Sequence, residues 1–262
     1  MRRYIENLGE RFLNLIYYMG GTTLLFIRTL AWIPVPPIKR QYIMSQMKRI
    51  GVDSLPIVFL TSFFTGMVLA LQSAYQMQKL QAEMYIASLV ALSMTRELGP
   101  VLTALIVAGR VGASITAELG TMRVTEQIDA LETLATNPVK YLVVPRFLAL
   151  LLMLPILTLY ADIIGIAGGY VVGVGRLGVS SSMYLKMTWD PLVYKDIFTG
   201  LAKAICFAII ICIVACYEGM NTKEGAEGVG KSTTLAVVTS FILIIAADCL
   251  ITALFYFAFQ VR

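Results

Sequence analysis

Residues 225–257 read GAEGVGKSTTLAVVTSFILIIAADCLITALFYF, and the first eight fit the nucleotide-binding pattern G-x-x-x-x-G-K-[ST] at Gly225, Gly230, Lys231 and Ser232. A working phosphate loop needs a buried strand before it and a helix behind it whose free amides hold the phosphates. It also needs a second strand carrying an acidic magnesium ligand. The surrounding sequence offers something else. One apolar run ends near Tyr217 and Glu218, and the residues after Ser232 are apolar for long enough to enter a bilayer. The stretch therefore predicts a short turn between two membrane helices, with glycines for tight geometry and Lys231 at the lipid headgroups.

Composition agrees with the membrane reading. Of 262 residues, 58% are hydrophobic and 14% charged, with a mean hydropathy of +0.78, which is outside the soluble range. The net charge of +5 does not gather into a basic stripe, so no nucleic-acid partner is expected. Histidine is absent, which excludes Ser-His-Asp and Cys-His nucleophile systems, histidine metal sites and histidine-ligated haem. Cys206, Cys212, Cys216 and Cys249 all lie in apolar runs and read as packing residues. At the start, MRRYIENLGE meets Glu6 and Glu10 before any apolar core and shows no small-residue cleavage pattern, so no cleaved signal peptide is expected.

A hydrocarbon core about 30 Å thick needs roughly 20 apolar residues in a helix. Five runs reach that length, at residues 53–77, 85–113, 143–174, 194–217 and 233–259. The expected fold is an all-α polytopic membrane protein, with an N-terminal segment over residues 1–50 and a five-helix transmembrane domain over residues 51–262. Counting charges near the run ends with the adjoining links, fourteen Lys and Arg fall before the first run, around the link between the second and third, or between the fourth and fifth, against five on the opposite side. That bias puts the N-terminus in the cytoplasm and the C-terminus outside. Within residues 1–50, Ile5, Leu8, Phe12, Leu15, Ile16 and Met19 keep a helical rhythm and predict an amphipathic helix lying in the membrane surface. Thr22 to Ile33 is short, carries Arg28 and runs into Pro34, so it reads as interfacial or re-entrant. Two small-residue ladders, Gly165–Gly169–Gly173 and Ala104–Ala108–Gly112, mark close helix packing, within one chain or between two.

The loop between the second and third runs, AELGTMRVTEQIDALETLATNPVKYLVVPR, predicts a helix from Thr125 to Thr136, or about 122–136 with its flanks. Thr125 would cap it, with Glu126 and Asp129 in the first turn and Asn137-Pro138 ending it. Ile128, Leu131, Leu134 and Ala135 share one face, and Glu126, Asp129 and Glu132 form an acidic row beside it. Anionic headgroups repel such a row, so a protein partner is the better occupant.

Residues 89–138, LVALSMTRELGPVLTALIVAGRVGASITAELGTMRVTEQIDALETLATNP, together with the GAEGVGKSTTLAVV turn, resemble the MlaE (YrbE) family of ABC-transporter permeases. The likeness covers nearly the whole chain from about residue 50, and the RELGP, AGR and EQIDAL elements carry it. It implies an inner-membrane homodimer working with a cytoplasmic ABC ATPase, a STAS-domain protein and a periplasmic MCE-domain lipid-binding protein, with phospholipid as cargo between inner and outer membranes. It further implies no cofactor in this chain, ATP and magnesium belonging to the partner ATPase. The predicted helix, with Thr125, Glu126, Gln127, Ile128, Asp129, Ala130, Leu131 and Glu132, corresponds in that family to the coupling helix that seats in the ATPase.

Charges within the apolar runs are the other informative feature, because each costs a few kcal/mol in lipid unless paired or wet. Arg96, Glu97, Lys203 and Asp248 either line a cavity and meet lipid headgroups or pair with one another and fix helix register. Met67, Leu71, Gln72 and Tyr75 on the first span offer a lining for acyl chains, with ordinary helix packing as the plainer reading. Two other classes remain open. An intramembrane enzyme would use Asp162 and Asp248, although Asp248 sits in Ala-Ala-Asp-Cys rather than Gly-x-Gly-Asp. An ion-coupled secondary transporter would be expected to show an internal repeat, and none is evident.

Overall fold

The computed structural model describes residues 2–36, 40–79, 81–223 and 225–260, and every regular element among them is helical. In chain order these are α1 (Arg2–Trp32), α2 (Arg40–Ile50), α3 (Leu55–Lys79), α4 (Ile86–Ser93), α5 (Gly99–Val107), α6 (Ala113–Val124), α7 (Gln127–Thr133), α8 (Val144–Gly175), α9 (Ser181–Trp189), α10 (Tyr194–Met220) and α11 (Gly225–Gln260). Five continuous helical rods are long and apolar enough to cross a membrane: Arg40–Lys79, Glu83–Val124, Val139–Gly175, Tyr194–Met220 and Gly225–Phe257. They match the five expected runs, and the protein is an all-α polytopic membrane protein.

The second rod is α4, α5 and α6 joined through two wider π-turns, Met94–Leu98 and Ala108–Gly112. At 1.5 Å per residue it runs for about 63 Å, twice the hydrocarbon thickness, so α6 projects well beyond the lipid. The end of the bundle that α6 reaches also gathers α7, α2 and the turn after α10. There Lys140 Nζ donates to Pro36 O at 3.0 Å, and Thr222 lies against Gly120. At the other end α9 packs on α4, with Ser88 Oγ donating to Met187 O at 2.7 Å.

Two expectations about the chain's ends change. Residues 2–32 form one continuous helix, without the break expected between a surface helix and a re-entrant segment, because the backbone stays helical through Gly20, Gly21 and Arg28. Tertiary contact holds it there. Leu25 and Thr29 are buried, Phe26 packs on Phe147, and Tyr217 lies so close to Gly21 that a Cβ there would meet the phenol oxygen at 2.4 Å. Ile16 and Met19 are exposed, while the side chains of Ile5, Leu8, Phe12 and Leu15 fall outside the described residues. The second change concerns GAEGVGKST. Only Gly225 has a positive φ, +63°, and from it onward the glycines are the first turns of α11, so the connection to α10 is shorter than the turn expected there.

The glycine ladder of α8 serves contacts within the chain. A Cβ on Gly66 would stand 1.8 Å from Gly165 O, and one on Gly168 would stand 2.2 Å from Phe63 O, so α3 and α8 touch backbone to backbone. Further along α8, Gly169 and Gly173 accept the ring of Tyr184 from α9. Van der Waals contact of this kind, with no apolar driving force available from lipid, is how membrane helices associate. The main core lies where α5, α6, α8 and α10 meet, and includes Phe147, Leu150, Phe207, Ile211, Cys212 and Cys216.

Candidate functional site

The π-turn Met94–Leu98 sets the site. It is followed by Gly99-Pro100, and Pro100 has no N–H to give to Arg96 O four residues earlier. Lys203 from α10 supplies the missing donor, its Nζ reaching Arg96 O at 3.0 Å. The same ammonium lies 2.5 Å from Glu97 Oε2 and 2.8 Å from Asp248 Oδ1. Thr252, one turn along α11 from Asp248, donates to Glu97 Oε1 at 3.2 Å. The Lys203 side chain has no solvent exposure at all. A buried cation between two carboxylates and a carbonyl is satisfied on every side, and it ties the second, fourth and fifth rods together.

Arg96 turns the other way. Its Nε donates to Asp196 Oδ1 at 2.7 Å, while half of the side chain remains exposed. Asp196 is itself fixed, because its second oxygen accepts the Val193 backbone N–H at 3.1 Å and so closes the first turn of α10.

Arg96 and Glu97 form one wall of a cavity of about 500 Å³, and Val193, Tyr194, Asp196, Thr199, Thr252, Phe255 and Tyr256 complete most of it. Its lining combines charged and polar side chains with the rings of Tyr194, Phe255 and Tyr256. Such a site fits a molecule with a charged or dipolar head and an apolar body. It opens at the end of the bundle away from α7.

Of the four charged residues singled out in the sequence, Arg96 and Glu97 line this cavity, and Lys203 and Asp248 form the layer supporting it. Lys203 pairs with Glu97 and Asp248, Arg96 pairs with Asp196 rather than with any of the other three, and Glu97 both belongs to the ion cluster and lines the cavity. Met67, Leu71, Gln72 and Tyr75 do not reach the cavity. Met67 packs into a second apolar cluster with Ala70 and Val90, and Leu71, Gln72 and Tyr75 lie on the outer face of α3, with Lys79 over the Tyr75 ring. Asp162 is buried against Gly99 and Asp248 is paired with Lys203, so the two aspartates do not form a dyad. Sequence reasoning missed Asp196, Thr252, Phe255 and Tyr256. The i, i+4, i+7, i+8 spacing of Asp248, Thr252, Phe255 and Tyr256, which is one helix face, was the signal that could have found three of them.

The segment between α6 and α8 is shorter than the sequence suggested. Thr125 does not cap α7, because its Oγ1 donates backward to Thr121 O at 2.8 Å and so closes α6. Glu126 then takes a left-handed conformation, φ +58°, and a second reversal at Ala135, φ +54°, ends the element before Asn137. Asn137 serves the start of the third rod instead, its Oδ1 accepting from the amides of Val139 and Lys140. Seven helical residues remain in α7, about 10 Å. Ile128 is 2% exposed and anchors α7 to the core, with Leu131 partly buried against it. Glu126, Gln127, Asp129, Ala130 and Glu132 are exposed, Asp129 pairs with Arg123, and Leu134 stands 75% exposed at the tip.

Residues 43–254 match the family model described as Permease MlaE. The chain is 49% identical over 251 residues to a probable ABC transporter permease protein of Rickettsia felis, covering 96% of this chain and 97% of the relative. It is 43% identical over 219 residues to a probable ABC transporter permease protein of Synechocystis, covering 84% and 83%. It is also 35% identical over 256 residues to the intermembrane phospholipid transport system permease protein MlaE of Haemophilus influenzae, covering 97% of each. With that coverage and five membrane rods in place, the chain belongs to the MlaE family of ABC-transporter permeases.

Proposed function

We propose that this chain is the conducting subunit of an ABC transporter that moves phospholipid between the inner and outer membranes, and that the cavity beside Arg96 receives the lipid headgroup. The observation that carries this reading is the pairing of Arg96 and Asp196 in the lining of a cavity that also includes Tyr194, Phe255 and Tyr256. Arg96 can exchange its carboxylate partner for a phosphate diester, and the rings accommodate the start of the acyl chains. The name of the Haemophilus relative supports phospholipid as cargo.

In this reading the chain works as a homodimer in the inner membrane; the distribution of Lys and Arg supports a cytoplasmic N-terminus and a periplasmic C-terminus. The chain holds no cofactor; ATP and magnesium are bound by a separate cytoplasmic ATPase that docks on α7. A STAS-domain protein and a periplasmic MCE-domain lipid-binding protein complete the assembly. Nucleotide closure in the ATPase favours one packing of the membrane helices over another, and the headgroup site changes affinity with it.

Affinity purification of the full chain from membranes, followed by mass spectrometry of proteins and lipids, tests the reading. An ABC ATPase and bound phospholipid are expected in the wild type, with lipid reduced about tenfold in Arg96→Gln and the ATPase retained. Absence of any ATPase, or undiminished lipid in the variant, overturns it.

A further inference from the structure

A second charged recess lies at the opposite end of the bundle, the end carrying α7. Gln46 and Arg49 of α2 and Arg110 and Ser114 of the second rod line a pocket of about 120 Å³. Glu118 lies beside it and serves two guanidiniums, accepting from Arg49 at 2.6 Å and from the buried Arg146 at 2.7 Å. Arg49 also donates to Ser114 Oγ at 2.7 Å. Arg110 donates to Ser54 Oγ at 2.6 Å and to Arg49 O at 3.4 Å, and among the described residues no carboxylate lies within ion-pair distance of it. Glu118 thus divides between Arg49 and Arg146, and Arg110 beside them adds a positive charge to the lining of the pocket that no carboxylate offsets among the described residues.

Depth identifies the environment. Arg49 sits just before α3, whose 25 residues span about 37 Å and cross the hydrocarbon unaided. Arg110 follows the stretch from Ile86 to Val107, about 33 Å of helix. Counted along two independent rods, both arginines fall at the same hydrocarbon boundary, which is the level of lipid phosphates. Paired guanidinium donors match phosphate oxygens in geometry and charge, and the volume suits a phosphate group but not a whole lipid.

We propose that this pocket holds the phosphate of an anionic phospholipid from the leaflet at the α7 end, a resident lipid rather than cargo, which fastens α2 to the base of α6. The site lies away from the Arg96 cavity and does not require the transport reading.

Native mass spectrometry of the full chain in detergent, titrated with phosphatidylglycerol or phosphatidylcholine, provides the test. Wild type is expected to retain phosphatidylglycerol about tenfold better. Gln46→Glu, which adds a negative charge at the rim without removing an existing ion pair, and Arg110→Gln should both abolish that preference while leaving phosphatidylcholine retention unchanged. Millimolar inorganic phosphate should not compete. Equal retention of both lipids by wild type, an undiminished preference in Gln46→Glu, or full displacement by inorganic phosphate overturns the proposal, the last by assigning the pocket to free phosphate. Lipid retention lost in Arg96→Gln alone would leave this site standing and concern only the cavity at the other end.

Discussion

Lys203 Nζ lies 2.5 Å from Glu97 Oε2 across a separation of 106 residues, and the lysine is fully enclosed where the glutamate is not. The ammonium also holds Asp248 and the Arg96 carbonyl, so its removal leaves three acceptors without their cation. Lys203→Met is therefore expected to destabilise the chain by about 3 kcal/mol. The triple variant K203M/E97Q/D248N, which removes the stranded charges as well, should recover most of that loss. Thermal unfolding in detergent measures both. If the single and triple variants unfold at the same temperature, the ion cluster is not what joins the three rods.

Where α3 crosses α8, the absence of a Cβ at Gly66 is what permits contact, since one would stand 1.8 Å from Gly165 O. Gly66→Ala must push two backbones apart and is expected to cost about 3 kcal/mol. Gly20, inside α1, has nothing within 4 Å of the same position. There the substitution to Ala should stabilise by up to ~1 kcal/mol, as it does in any exposed helix interior. Melting temperatures moving in opposite directions would bear out the assignment, and a neutral Gly66→Ala would refute it.

The division between what the sequence revealed and what it hid reflects the range of the interactions involved. Span number and approximate limits depend on how many consecutive residues lipid can accept, a local property, and all five could be read directly. The partners of Lys203 could not, because nothing in a single chain says which of several intramembrane acids faces it across three rods. GAEGVGKST misled in a different way. Glycine-rich composition favours a turn by about 1 kcal/mol per residue, but burial of Ala236 and Ser240 further along α11 fixes that helix, and its first turns extend from it. At α7 the expected apolar face holds for Ile128 and Leu131 but not for Leu134 and Ala135, which lie exposed beyond the helix, because periodicity carries no information about the left-handed residues, Glu126 and Ala135, that cut the element to seven.

Glu126 offers a way to separate backbone from charge. A non-glycine residue at φ +58° bears about 1 kcal/mol of strain. Glu126→Gly should thus raise stability by up to ~1 kcal/mol, whereas Glu126→Gln keeps the strain and removes only the charge. If the acidic row attracts the ATPase, both variants lose association to a similar extent despite their different melting temperatures. Loss in Glu126→Gly alone would assign the role to the rigid reversal instead.

Ile128 lies in α7 and Leu134 directly follows its last residue, yet they face opposite surroundings, 2% and 75% exposed. Ile128 fills part of the core, so Ile128→Ala is expected to cost about 3 kcal/mol through the cavity it leaves and to lower the melting temperature of the isolated chain. Leu134 touches solvent, and Leu134→Ala should change stability by less than ~0.5 kcal/mol. An exposed leucine at the tip of a segment projecting beyond the lipid is the apolar contact a docking partner would cover, as buried apolar anchors dominate such interfaces. Leu134→Ala is therefore expected to leave the fold intact and reduce co-purification of the ATPase several-fold. Should the ATPase stay bound at wild-type levels and its turnover be unchanged, α7 is not the docking point, and the partner must engage α2 or the turn after α10 at the same end of the bundle.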